Sequence, residues 1–199
     1  MLELRGEKLL KAKKLLTLIT QVLDNNHITY HLEGGTLLGI VRDGDLLPWD
    51  HDIDLSIDIT DAKKLKSLQK HFWKKGLKLS ERKYTKSYGA IKKGQTRIFK
   101  VKPIAFSFWN IFDRNYDQKA MIGDIFVKVT DSKHTYWQAK GKILRVCKSH
   151  YKGHDTVNFN GNILKTPVNY HDYLTAKYGD WKTPVKEWDC KNDEKTICA

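Results

Sequence analysis

Asp50, Asp52 and Asp54 occupy alternate positions of the run Asp50-His51-Asp52-Ile53-Asp54-Leu55-Ser56-Ile57-Asp58. The polar and apolar alternation fits a β-strand, where residues two apart point the same way. Three carboxylates then share one face while Ile53 and Leu55 enter the core. Such like charges repel, and a hard divalent cation is the usual compensation. Mg2+, with Mn2+ as the alternative, prefers oxygen ligands and keeps positions open for phosphate oxygens and water. A solvated acidic turn is the competing reading, weakened by a chain that is otherwise basic, with a formal net charge of +13. Upstream, Gly34-Gly35 lets the backbone approach a ligand closely, and Thr36 adds a hydroxyl at a helix start. A glycine pair alone is often only a turn. Followed by a strand bearing D-x-D, it completes the layout that phosphoryl and nucleotidyl transfer require.

Elements must hold these residues in place. Residues 7 to 25 carry Leu9, Leu10, Leu15, Leu16, Leu18, Ile19, Val22 and Leu23 at helical spacing, which predicts an amphipathic helix packed on the core. Its basic face leaves peripheral contact with an anionic membrane as a second use. Ile28 to Leu32 reads as a short strand and Thr36 to Arg42 as a short helix stopped by Asp43-Gly44-Asp45. The aspartate strand comes next, then a helix from about Asp61 to Lys75. Strands are expected over Leu77–Glu81, Tyr88–Lys92, Arg97–Val101, Ile104–Trp109 and Met121–Val129, the last carrying Asp124 in an apolar setting. Val157 to Pro167 reads as loop, Tyr170 to Tyr178 as a helix ended by Gly179, and the tail to Ala199 as irregular. His31 and His51 flank the motif. A hydrogen-bonded structural role suits His31, and strand alternation turns His51 away from the aspartates. Core packing is the commoner use of Trp49, Trp181 and Trp188.

The 199 residues, 40% of them hydrophobic, suffice for one core and predict a single domain over residues 1–199. No run is long and apolar enough to cross a bilayer, and the first residues lack a signal-peptide centre, so the expected place is the cytosol or the cytosolic face of a membrane. Cys147, Cys190 and Cys198 have no metal or disulfide spacing. The positive charge attracts nucleotides, polyanionic acceptors, nucleic acids or anionic lipid surfaces alike and so fixes the sign of a partner, not its identity; no specific nucleic acid is expected.

The run from Glu33 to Asp54, containing Gly-Thr-Leu-Leu-Gly at 35–39, Arg42, Gly44 and Pro48-Trp49-Asp50-His51-Asp52-Ile53-Asp54, closely resembles the signature of the LicD family. Tyr178-Gly179-Asp180-Trp181 before Thr183-Pro184 resembles a second family feature, and the likeness extends from about residue 7 to 190. It implies an α+β fold of the DNA polymerase beta-type nucleotidyltransferase kind, a mixed sheet flanked by helices. It also implies transfer of a phosphorylated alcohol, such as phosphocholine or a polyol phosphate, from a CDP-linked donor to a glycan or teichoic-acid-like acceptor. Nucleotidyl transfer from a triphosphate to a small acceptor is the alternative. By this resemblance Asp52 and Asp54 hold the metal, with Asp50 a ligand or a supporting partner, and Gly34, Gly35 and Thr36 contact the donor diphosphate. Arg42 either pairs with the aspartates or binds phosphate. Asp124 is the expected third carboxylate, a metal ligand that also helps deprotonate the acceptor, unless it is salt-bridged in the core. Val127 stands where members of the family often have proline.

Overall fold

The computed structural model describes residues 6–104, 121–185 and 188–199. It opens with α1 (Glu7–Asn25), whose Ala12, Leu15, Leu16, Ile19, Val22 and Leu23 are buried. The apolar stripe therefore faces protein, each aliphatic side chain contributing about 1.5–3 kcal/mol by leaving water. Among the described residues, no helix is long and apolar enough to cross a membrane. There follow β1 (Tyr30–Leu32), α2 (Gly34–Arg42), β2 (Asp52–Asp58), α3 (Ala62–Ser67) and α4 (Gln69–Lys74). The second half contains β3 (Leu77–Lys83), β4 (Thr96–Pro103), β5 (Ile122–Thr130), β6 (His134–Ala139), β7 (Lys142–Cys147), β8 (Asp155–Phe159), β9 (Asn162–Thr166) and α5 (Tyr170–Tyr178).

The main sheet runs β1-β2-β5-β4-β3, with β6 joined to the end of β5 and β7 beyond it. β2 and β5 are parallel, and the other pairs are antiparallel. The result is the mixed sheet flanked by helices that the family resemblance implies. One face presents Ile53, Leu55, Ile57, Ile125, Val127, Phe99 and Val101 to the core. α1 lies close against it, because a side chain on Gly123 of β5 would overlap Ile19. Alternation turns Asp52, Asp54, Asp124 and Lys100 to the opposite face. The pairings Asp54↔Asp124 and Lys100↔Asp124 place β2, β5 and β4 side by side there.

Several elements differ from expectation. β2 starts at Asp52, so Asp50 belongs to the preceding turn instead of the strand. α2 starts at Gly34 with Glu33 as its cap, two residues before Thr36. The single helix expected to Lys75 breaks at Leu68, where the Ser67 hydroxyl donates to the Lys64 carbonyl at 2.7 Å and competes with helix propagation. Tyr88 to Lys92 forms only a bridged turn, Tyr88 pairing with Ile91. The strand expected at Ile104–Trp109 lies outside the described residues from 105 onward.

Residues 157 to 167 hold a hairpin and not a loop: Asn160 and Gly161, both at positive φ, turn β8 into β9. The tail is anchored, Ile197 bridging to Leu144 and Arg145 N–H donating to the Thr196 carbonyl at 2.9 Å.

Candidate active site

Carboxylate oxygens of Asp52, Asp54 and Asp124 lie within 4.8 Å of one another. The parallel pairing of β2 with β5 causes this convergence, since it sets Asp54 directly beside Asp124. From β4, the Lys100 ammonium bonds both Asp124 oxygens, at 2.8 and 2.7 Å. Asp124 is thus both salt-bridged and part of the acidic cluster, joining two roles that the sequence leaves as alternatives.

The start of α2 sits against the same group. The Glu33 amide donates to the Asp54 carbonyl at 3.0 Å, and the Asp54 amide donates to the Thr36 hydroxyl oxygen at 2.9 Å. These bonds fix the helix N-terminus, with its free amides and positive dipole end, beside the carboxylates. A Cβ on Gly34 would fall on the Asp54 carboxylate, and one on Gly35 on that of Asp50. Gly34 also has φ +53°, which side chains disfavour. The glycine pair therefore makes room for the acidic cluster, and both glycines line the cavity above it. Thr36 is buried and does not line that cavity; its oxygen is occupied by β2. Arg42 lines it, but its guanidinium is bonded side-on to Asp43, at 2.7 and 2.8 Å, not to the aspartate cluster.

Burial and mutual charge repulsion together set the electrostatics. Burial, followed by the charges of Asp52, Asp50 and Asp124, pushes the Asp54 carboxyl well above the usual carboxylate range. Burial and Asp52 push Asp50 up to about 7. Lys100 alone balances only part of this charge. The donor set is entirely hard oxygen, and its mutual repulsion disappears when a divalent cation is held between the carboxylates, so these residues fit Mg2+ or Mn2+.

The cavity has a volume of about 540 Å³, and Arg82, Arg97, Lys100 and Lys140 line it together with Tyr178, Trp188 and half-exposed Trp49. Trp49 is 43% exposed, so core packing is not its use, whereas Trp181 is buried and donates to the Thr175 hydroxyl at 3.1 Å. His31 is buried with Nε2 2.7 Å from the Gly153 carbonyl, as a structural histidine should be, and His51 is exposed.

The cavity wall at Glu33, Trp137, Lys177 and Glu194 belongs to a charged network that the sequence reading missed. Buried Glu33 accepts from Ser56, Tyr151 and Tyr173 hydroxyls at 2.7, 2.6 and 2.5 Å and pairs with Lys128 at 3.1 Å. Burial alone raises Glu33, but Lys128 and the two phenols outweigh it and bring it below its ordinary value. The Lys128 ammonium also lies 3.2 Å from the centre of the Trp137 ring. Lys177, 5.3 Å from the same ring, pairs with Glu194 of the tail at 2.6 Å. One signal was available: Lys128 follows Asp124 by four positions in an apolar strand, hence on the same face.

Residues 27–169 match the family model described as LicD/FKTN/FKRP, nucleotidyltransferase domain. Ribitol 5-phosphate transferase FKRP of Homo sapiens is 48% identical over 44 residues, 22% of this chain and 9% of that protein. Ribitol-5-phosphate transferase FKTN of Mus musculus is 26% identical over 194 residues, 94% of this chain and 36% of that protein. The chain thus spans little more than a third of the length of the latter relative and less of the former. The lincomycin-bound lincosamide antibiotic adenylyltransferase LnuA aligns with a TM-score of 0.47 at 14% identity, over 81% of this chain and 84% of its own. With the family model covering well over half of its residues, the chain belongs to the LicD/FKTN/FKRP nucleotidyltransferase-domain family.

Proposed function

We propose that this chain transfers a phosphorylated alcohol, such as phosphocholine or a polyol phosphate, from a CDP-linked donor to a hydroxyl of a glycan or teichoic-acid-like acceptor. The observation that carries the reading is the convergence of Asp52, Asp54 and Asp124 beside the N-terminus of α2, in a cavity that arginines and lysines also line. Family membership supports the same class of reaction.

Asp52, Asp54 and Asp124 would hold the cation, with Asp50 beside them. When bound, Mg2+ or Mn2+ supplies charge neutralisation for the donor diphosphate. The chain's own groups do the rest. Gly34 and Gly35 present amides to the diphosphate at the positive end of α2. Arg42, Arg97 and Lys140 line the space that remaining donor oxygens occupy, and Lys100 keeps Asp124 oriented. The acceptor oxygen forms its bond to the β-phosphorus as the bond to CMP breaks. CMP departs with the electron pair, and the hydroxyl proton passes to an Asp124 oxygen and then to solvent. Thr36 acts at one remove, by holding the start of β2.

The test follows CMP release from CDP-choline, CDP-ribitol and CDP-glycerol with phosphorylated glycan acceptors and Mg2+, against an EDTA control. The expected result is EDTA-sensitive CMP release with one donor. Silence across the panel, with pyrophosphate released from a nucleoside triphosphate, would replace this reading with nucleotidyl transfer.

A further inference from the structure

The rows of side chains that cross the sheet do not stop at the carboxylates. On the site face Ser80, Lys100, Asp124 and Asp54 form one row across β3, β4, β5 and β2. Lys78 and Lys102 stand together in the next row, and Arg82 stands beside Ile98 on the other side. Arg82, Ile98 and Lys100 are cavity wall. Lys78, Ser80, Arg82 and Lys102 are exposed, whereas Leu77, Leu79 and Val101, pointing the opposite way, are buried. β3 is the edge of this run of strands. A basic strip therefore leads from the sheet edge to the acidic cluster.

Strand spacing sets its scale. With neighbouring strands about 4.8 Å apart and same-face residues about 7 Å apart, Lys102 stands roughly 8 Å from Asp124 along the sheet. Among the described residues, Lys78, Arg82 and Lys102 have no carboxylate partner: Glu81 turns to the other face and bonds Lys66 and Thr96, and Asp124 is occupied by Lys100. Unpaired cations in register on a flat, solvent-facing strip are available to an extended anionic chain.

The geometry points to this strip as the acceptor track, along which a glycan bearing repeated phosphates lies so that one hydroxyl reaches Asp124. The inference rests on the phosphotransfer reading above and adds where the acceptor lies and which charges it must carry. Lys78 and Lys102 hold phosphate, Arg82 guides the chain at the cavity mouth, and Ser80 offers a hydroxyl to a sugar or polyol. The strip residues include no aromatic ring, and surfaces that hold single-stranded nucleic acid rely on stacking. A polyol-phosphate or phosphoglycan chain suits it better.

The experiment compares the unaltered protein with the double variant Lys78→Gln/Lys102→Gln. A second double variant, Lys63→Gln/Lys70→Gln, removes the same charge from exposed positions on α3 and α4. Binding of a fluorescent poly(ribitol phosphate), an equally charged single-stranded oligonucleotide and neutral dextran is read by anisotropy at several salt concentrations. Loss of two phosphate contacts should weaken the polymer by roughly tenfold at moderate salt and flatten its salt dependence, with the α3–α4 variant near the unaltered protein. Equal loss in both variants, or in neither, would overturn the track. Tighter binding of the oligonucleotide than of the polymer, lost in the Lys78/Lys102 variant, would give the strip to nucleic acid instead. CMP release on the same samples separates the two readings. Polymer binding on the strip without CMP from any donor overturns the reaction and leaves the track, whereas CMP release by a protein that binds polymer no better than dextran does the reverse.

Discussion

Asp54 is under opposing demands: burial and the charges of Asp52, Asp50 and Asp124 all disfavour its ionised form, yet that form is the one a cation needs. Replacing it isosterically should therefore separate stability from activity. In EDTA, Asp54→Asn is expected to be more stable than the unaltered protein by about 1 kcal/mol, roughly 2–4 °C in Tm for a chain of this size. It should at the same time lose the Tm increase on adding Mg2+ and about 10³-fold or more in CMP release. Calorimetry with and without Mg2+ checks both halves, and a variant that keeps its rate and its Mg2+ response would rule Asp54 out as a metal ligand. At this scale the sequence was informative where spacing carries the chemistry. Asp52, Asp54 and Asp124 were readable from strand alternation and motif. Gly34 and Gly35 were found, but not that they accommodate carboxylates, because what a glycine faces is decided by another element. Glu33 and Lys128 were missed because each is interpretable only once the other is seen beside it.

Among elements, the turn from β5 into β6 has a single acidic organiser. Asp131 accepts from the Lys133 and His134 amides, both at 2.7 Å, and from the Tyr136 hydroxyl at 2.9 Å. The amides of His134 and Lys133 hold its carboxyl down, to about 2. Because the folded value lies below the unfolded one near 3.9, this ionised turn stabilises the fold at pH values above about 4 and ceases to do so as pH falls toward 2. Urea unfolding between pH 5 and pH 2 should show the unaltered protein losing more stability than Asp131→Asn; parallel curves would mean that the turn is held by its backbone alone. α1 and α5 were legible to the residue, α1 from its helical spacing and α5 from the stop at Gly179. The hairpin of β8 and β9 was legible in principle from Asn160-Gly161. The break at Leu68 was not, because apolar spacing continues through it and the bond from the Ser67 hydroxyl to the Lys64 carbonyl is visible only in the folded helix.

For the molecule as a whole, the buried pair Lys177–Glu194 ties the chain's last segment to α5 at the cavity wall. Glu194→Ala leaves an uncompensated ammonium in a buried position and should cost roughly 3–5 kcal/mol, whereas Lys177→Met with Glu194→Leu should recover most of it. Denaturant titration of the single and double variants decides this, and a single variant of unchanged stability would mean that the tail is not anchored through its charge. Composition gave the sign of the surface but not this seam, whose two charges sit in a stretch that reads as polar and irregular. One consequence follows from the parallel contact of β2 with β5. The β3–β4 hairpin lies between them in the sequence, and β5 inserts between β2 and β4 in the sheet. Local hairpins close cheaply, but this pairing must wait for a long loop to close. During synthesis the first two aspartates are thus made well before their partner, and the acidic cluster assembles only when the middle of the sheet does. A cation that bridges the two strands would then reward a contact that closes a long loop and raise the barrier to losing it again.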